Sequence, residues 1–164
     1  GGMKTLVIMR HAKAANGSPD HARPLNERGR RQAGHVGGEL SRVVGTIDTL
    51  FVSDANRTRQ TLDALTSGGL DVSDVSVEPR LYSAGGDEVI DILRGEAEGD
   101  IVMVVGHEPT MSAVAFQLWD RAGEAEFDRG FPTSGAAVFQ FDGEWADLPV
   151  GGMSLHHFVT APRP

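Results

Sequence analysis

Short, nearly uninterrupted apolar runs recur along the chain: Thr5–Met9 (TLVIM), Leu50–Val52 (LFV) and Ile101–Val105 (IVMVV). Rich in Val, Ile and Leu and lacking polar alternation, they predict strands covered on both faces, and so a central parallel sheet. Between them the period changes. Ala33, Val36, Leu40, Val43 and Val44 recur at helical spacing, which predicts a helix from about Glu27 to Val44 with Asn26 as its N-cap. A shorter helix is expected from about Arg57 to Thr66 and another over Asp87–Ala97. Met111, Val114, Ala115, Leu118, Trp119 and Ala122 mark a fourth after Pro109. Val75–Glu78, Ala137–Phe141 and Leu155–Val159 add further strands, the last two joined without a helix. The pattern predicts an α/β three-layer sandwich: a mostly parallel central sheet, helices on both faces and an antiparallel edge strand.

Length changes little in this picture. The 164 residues suit one domain, taken as 3–161, and Gly68-Gly69, Gly85-Gly86 and Gly151-Gly152 read as turns inside it. Gly1-Gly2 before Met3 reads as the remnant of an expression tag. Thr5–Met9 is shorter than the ~7 to 15 residues of a signal-peptide core, and no run approaches the ~20 needed to span a bilayer. A soluble, cytoplasmic protein is expected.

Charge and cysteine narrow the chemistry. The absence of cysteine excludes disulfides and thiolate metal sites, and a formal charge of -8 argues against a broad nucleic-acid or anionic-membrane surface. An anionic ligand would need a local cationic pocket. In open parallel sheets, ligands bind beyond the carboxyl ends of the strands, where loops and helix N-termini converge. Arg10-His11 follows the first apolar run, Ser53–Arg57 the second, and Gly106-His107 the third. If those strands are parallel, two imidazoles and two guanidiniums meet at one edge. Arginine offers a planar fork of donors matched to phosphate oxygens, and a neutral imidazole is a competent nucleophile at phosphorus. A metal site fits less well, because Arg10 and Arg57 would repel a cation. His21, His35, His156 and His157 are read as structural or solvated.

Four segments then carry a resemblance. LVIMRHAKA around Arg10-His11, RPLNERG (Arg23–Gly29), SDANRTRQT (Ser53–Thr61) and VGHEPTMS (Val105–Ser112) together resemble the histidine phosphatase superfamily. Within it they look like the short SixA-like phosphohistidine phosphatases, and FPTSGAAVFQF (Phe131–Phe141) resembles the segment leading into an edge strand of the family's phosphoglycerate-mutase-like fold. The resemblance implies His11 as nucleophile, with Arg10, Arg57 and His107 gripping the phosphoryl oxygens. It also places Arg23, and with it Asp20, near the phosphate, against the alternative of a surface Arg23–Asp20 ion pair.

It implies no cofactor and no metal, and a phosphate-bearing substrate, foremost phosphohistidine on a partner protein, with neither nucleic acid nor membrane as partner. Two other readings stand beside it: a phosphatase of small phosphate esters or nucleotides, and a non-catalytic phospho-ligand binding module. The proton donor for a leaving group is open among Asp20, Glu78 and Glu108. Glu108 also departs from the family's frequent Asn after the second histidine. Ester cleavage expels a strongly basic alkoxide, whereas a ring-protonated phosphohistidine leaves as neutral imidazole, so a site without an acid favours phosphohistidine.

Overall fold

In the computed structural model, which describes residues 2–125, 127 and 129–162, the chain alternates strand and helix. The order is β1 (Met3–Arg10), α1 (Glu27–Val44), β2 (Ile47–Val52), α2 (Asn56–Ser67), β3 (Val72–Val77), α3 (Gly86–Glu96), β4 (Ile101–Gly106), α4 (Thr110–Leu118), β5 (Ala136–Asp142) and β6 (Ser154–Val159). Gly1, half of the expected tag remnant, lies outside the described residues.

The strands form one sheet in the order β3-β2-β4-β1-β5-β6. β3, β2, β4 and β1 are mutually parallel, with Leu50 opposite Met103 and Val7 opposite Met103 on the two sides of β4. β5 runs antiparallel to β1, and β6 antiparallel to β5, which supplies the expected antiparallel edge. Side chains of a strand alternate between faces, and β1 shows what its continuous apolar run is for. Leu6 and Ile8 join Val102, Val104 and Phe139 beneath Val89 and Leu93 of α3 and Val114 and Leu118 of α4. Val7 and Met9 join Leu50, Val52, Met103 and Val105 beneath Val36 and Leu40 of α1 and Leu65 of α2. The three layers follow from these two cores.

Local signals set most boundaries. Asn26 Oδ1 accepts from the Gly29 N–H at 2.7 Å, satisfying one of the donors left free at the start of α1. The fourth helix is shorter than its apolar periodicity predicts. It stops at Leu118, because Trp119 turns to extended backbone and bridges Met153, whose carbonyl takes the Asp120 N–H at 2.8 Å. Trp119 remains buried through that pairing, whereas Ala122 lies outside the helix and is exposed.

Candidate active site

The carboxyl ends of β1, β2 and β4 are tied together by backbone hydrogen bonds. The His11 N–H donates to Gly106 O at 3.0 Å, and the Ser53 N–H to Val105 O at 3.3 Å. From the other side, the loop before β5 donates its Ser134 N–H to His11 O at 3.1 Å, and its Gly135 O accepts the Arg10 N–H at 3.0 Å. Residues nearly a hundred positions apart are thereby held in one cleft: the rings of His11 and His107 lie 5.4 Å apart between centroids.

His11 Nδ1 sits 2.7 Å from Ala12 O. A carbonyl can only accept, so Nδ1 carries the proton and the lone pair belongs to Nε2. Burial, reinforced by the nearby Arg57, Arg10 and Arg23 charges, lowers the His11 pKa from 6.5 to about 4, against an opposing pull from the Ala12 hydrogen bond. The ring is therefore neutral at ordinary pH. His107 is likewise lowered to about 4, first by burial and then by His11 and Arg57. Its Nε2 lies 2.8 Å from Ser53 Oγ, while its Nδ1 is buried without a hydrogen-bond partner among the described residues.

The guanidiniums flank this pair. Arg10 Nη1 donates to Phe131 O at 2.8 Å, and its Nε is buried and unpartnered among the described residues. Arg57, only 7% exposed, donates from Nη1 to Asp20 O at 2.9 Å and from Nη2 to Asp20 Oδ2 at 3.1 Å. Arg23 reaches Asp20 Oδ1 at 3.0 Å and Ala15 O at 3.0 Å. The Arg23–Asp20 ion pair is thus present, and through Asp20 it is joined to Arg57. Asp20 also accepts from the Tyr82 hydroxyl at 2.6 Å. That bond, followed by the Arg23 and Arg57 contacts, holds its carboxyl well below the usual carboxylate range.

The other two carboxylates weighed as proton donors are engaged elsewhere. Glu78 accepts from Arg80 Nε at 2.7 Å and Nη2 at 2.8 Å and from the Arg80 N–H, and this pairing lowers its pKa. Glu108 accepts from the Ser112 N–H at 2.8 Å, the Ser112 hydroxyl at 2.8 Å and the Phe131 N–H at 3.0 Å, which pins the loop before β5 to the start of α4. Where the sequence left its role open, Glu108 is a structural acceptor beside the pocket. Among the described residues, no group of three or more His, Asp and Glu is placed to hold a metal ion.

Sequence reasoning passed over four neighbours. Tyr82, the chain's one tyrosine, stands edge-on to His107 with ring centroids 5.5 Å apart, and Arg57 Cζ lies 6.0 Å from its centroid. Ser53 and Asp54 follow β2, and the rule that selected Arg57 applied to them equally. His21, read as structural or solvated, packs against Tyr82 at 4.9 Å and donates from Nε2 to Asp54 Oδ1 at 2.9 Å. His35, His156 and His157 are exposed. No signal in the sequence points to Tyr82, which reaches the cleft from a 3-10 turn, Pro79–Tyr82, beyond the edge strand β3.

Comparison with known proteins places this geometry in context. Residues 6–86 match the model of the histidine phosphatase superfamily (branch 1). An uncharacterized protein of Mycobacterium tuberculosis (strain H37Rv) is 40% identical over 158 residues, covering 92% of this chain and 98% of that protein. A solved structure from Nakamurella multipartitia, provisionally named phosphohistidine phosphatase SixA, superposes with a TM-score of 0.87 at 32% identity and covers 98% of each chain. A second such structure, from Agrobacterium tumefaciens, has a TM-score of 0.77 at 31% identity, over 97% of this chain and 99% of that one.

Proposed function

We propose, for a chain that belongs to the histidine phosphatase superfamily, that His11 takes the phosphoryl group from phosphohistidine on a partner protein. The observation that carries this reading is the His11 ring: neutral, with Nδ1–H fixed on Ala12 O and the Nε2 lone pair free, beside His107 and the Arg10 and Arg57 guanidiniums. Nε2 attacks phosphorus, an N–P bond forms, and the substrate's own N–P bond breaks. Water then cleaves the enzyme's phosphohistidine, releasing inorganic phosphate and returning Nε2 to its starting state.

Arg10, Arg57 and His107 hold the oxygens on which charge accumulates in the transition state. Arg10 Nε and His107 Nδ1 are buried polar atoms without partners among the described residues, and phosphoryl oxygens would complete their hydrogen bonding. His107 enters the unliganded pocket neutral, and a dianion beside it favours the imidazolium, so phosphate binding draws a proton onto that ring. Arg23 and Asp20 orient Arg57, and phosphate competes with the Asp20 carboxylate for its Nη2 donor.

The substrate class rests on leaving-group chemistry. Asp20 is held ionised by Tyr82 and two arginines, Glu78 faces Arg80, and Glu108 is occupied by three donors, which leaves none of the three placed to protonate an alkoxide. A phosphorylated imidazole can take its proton from water. No step calls for a metal.

The test is a trapping experiment with a radiolabelled phosphohistidine protein. The wild-type chain should acquire acid-labile, alkali-stable label, and His11→Ala should acquire none, with turnover persisting in excess chelator. Faster turnover of phosphoserine peptides or small phosphate esters would overturn the substrate assignment. Phosphate binding without label or hydrolysis would make the domain a binding module.

A further inference from the structure

Beside the cleft lies a groove of about 470 Å³ whose walls include Lys13, Arg28, Gln32, Thr133 and Thr160. Each of its side-chain polar groups can donate: an ammonium and a guanidinium that only donate, and an amide and two hydroxyls that can also accept. Among the described residues no carboxylate lines it, in a chain whose formal charge is -8. Lys13 and Arg28 are both exposed, and neither forms an ion pair with a described residue, while the neighbouring Glu27 is taken by Arg31 at 3.3 Å.

The groove is built on backbone segments that also hold the site. Lys13 O accepts the Asn26 N–H at 3.1 Å, and a Cβ at Gly29 would lie 2.2 Å from that same oxygen, so only glycine lets the Lys13 backbone seat against the first turn of α1. That seat places Lys13 beside Arg28. The opposite wall, Pro132-Thr133, belongs to the loop whose Phe131 O holds Arg10 and whose Ser134 N–H holds His11 O. Residues two positions beyond His11 and one before Ser134 therefore shape the groove.

We infer that this groove docks an acidic segment of the phosphoprotein substrate, carboxylates meeting Lys13 and Arg28 while the phosphorylated ring enters the His11 cleft. The inference rests on the proposed reading, since a protein substrate must lay surface beside the cleft. A protein segment fits better than a nucleic acid: among its described lining residues the groove offers two cations and no aromatic ring for bases to stack on. Charges at such a rim govern encounter and partner choice, so the expected signature is strong salt dependence.

The experiment uses labelled hexaglutamate as probe, read by fluorescence anisotropy at matched ionic strength. Binding should weaken with added chloride, persist in saturating inorganic phosphate, and fall at least tenfold in Lys13→Glu/Arg28→Glu and severalfold in Lys13→Ala/Arg28→Ala. Equal binding to wild type and both variants, displacement by phosphate, or tighter binding of hexathymidylate would overturn the inference. A second arm compares kcat/KM for free phosphohistidine and for an acidic phosphohistidine protein. The charge-reversed variant should keep the first within twofold and lose at least tenfold on the second, through KM. Failure of the wild type to turn over either substrate would remove the functional reading, while the hexaglutamate measurement would still decide the groove.

Discussion

At the scale of single residues, burial keeps two imidazoles uncharged among guanidiniums. Both rings have folded-state pKa values near 4, whereas the unfolded chain takes up protons near 6.5. Between those values the unfolded state binds more protons, so stability is fully present above about pH 6.5 and declines as pH falls toward 4. At about 1.4 kcal/mol per pKa unit, each ring's share of that loss reaches about 3 kcal/mol. Proton NMR should place both imidazole midpoints near pH 4, and urea melts should give lower midpoints at pH 5 than at pH 7. A midpoint near 6.5 for His11 would mean that its ring is solvated and its lone pair contested by protons at working pH. The carboxylate at Asp20 has the same sign, because its folded-state pKa is also lowered: its contribution is present above the ordinary carboxylate range and is lost as pH falls below it, beneath the histidine window.

Secondary elements position these residues through close backbone contacts as well as apolar burial. α1 and α2 approach so tightly that a Cβ at Gly37 would stand 2.2 Å from Leu65 O and 2.8 Å from Leu65 Cα. Backbone cannot move aside as a flexible side chain would. Gly37→Ala should therefore cost about 1 to 3 kcal/mol, an overpacking penalty, and lower Tm by roughly 2 to 4 °C per kcal/mol. Gly95→Ala in α3, where a Cβ meets nothing within 4 Å, should instead raise stability by about 0.4 to 1 kcal/mol. Thermal melts of the two variants check both signs. Because α2 begins at Asn56-Arg57, displacement of α2 from α1 would also move Arg57, and the Gly37 variant should lose phosphate affinity along with stability.

Across the whole molecule, a local cationic cleft is set in an acidic chain, and its cations come from elements far apart in sequence, Arg10 from the end of β1 and Arg57 from the start of α2. An anion that binds only the folded state stabilises it by mass action, about 2.7 kcal/mol at a hundred times its Kd. Inorganic phosphate should therefore raise Tm in proportion to the logarithm of its concentration, and Arg57→Ala should remove most of that rise. The same rise in both proteins would place phosphate elsewhere. Among the described residues, no helix is long and apolar enough to cross a membrane.

The apolar runs determined β1, β2 and β4, since a strand buried on both faces needs Val, Ile and Leu at consecutive positions, and the helical spacing with Asn26 determined α1. The rule for strand ends then carried Arg10, His11, Arg57 and His107 to one cleft, and the four motifs carried the family. Periodicity overran α4, because Trp119 keeps its apolar character while its backbone pairs with Met153, a contact that no local pattern encodes. Tertiary structure alone decided what each polar group faces. Hydrogen bonds between distant loops depend on distance and direction, so Asp20 became the joint of Arg57, Arg23 and Tyr82, and Glu108 a brace for the loop before β5.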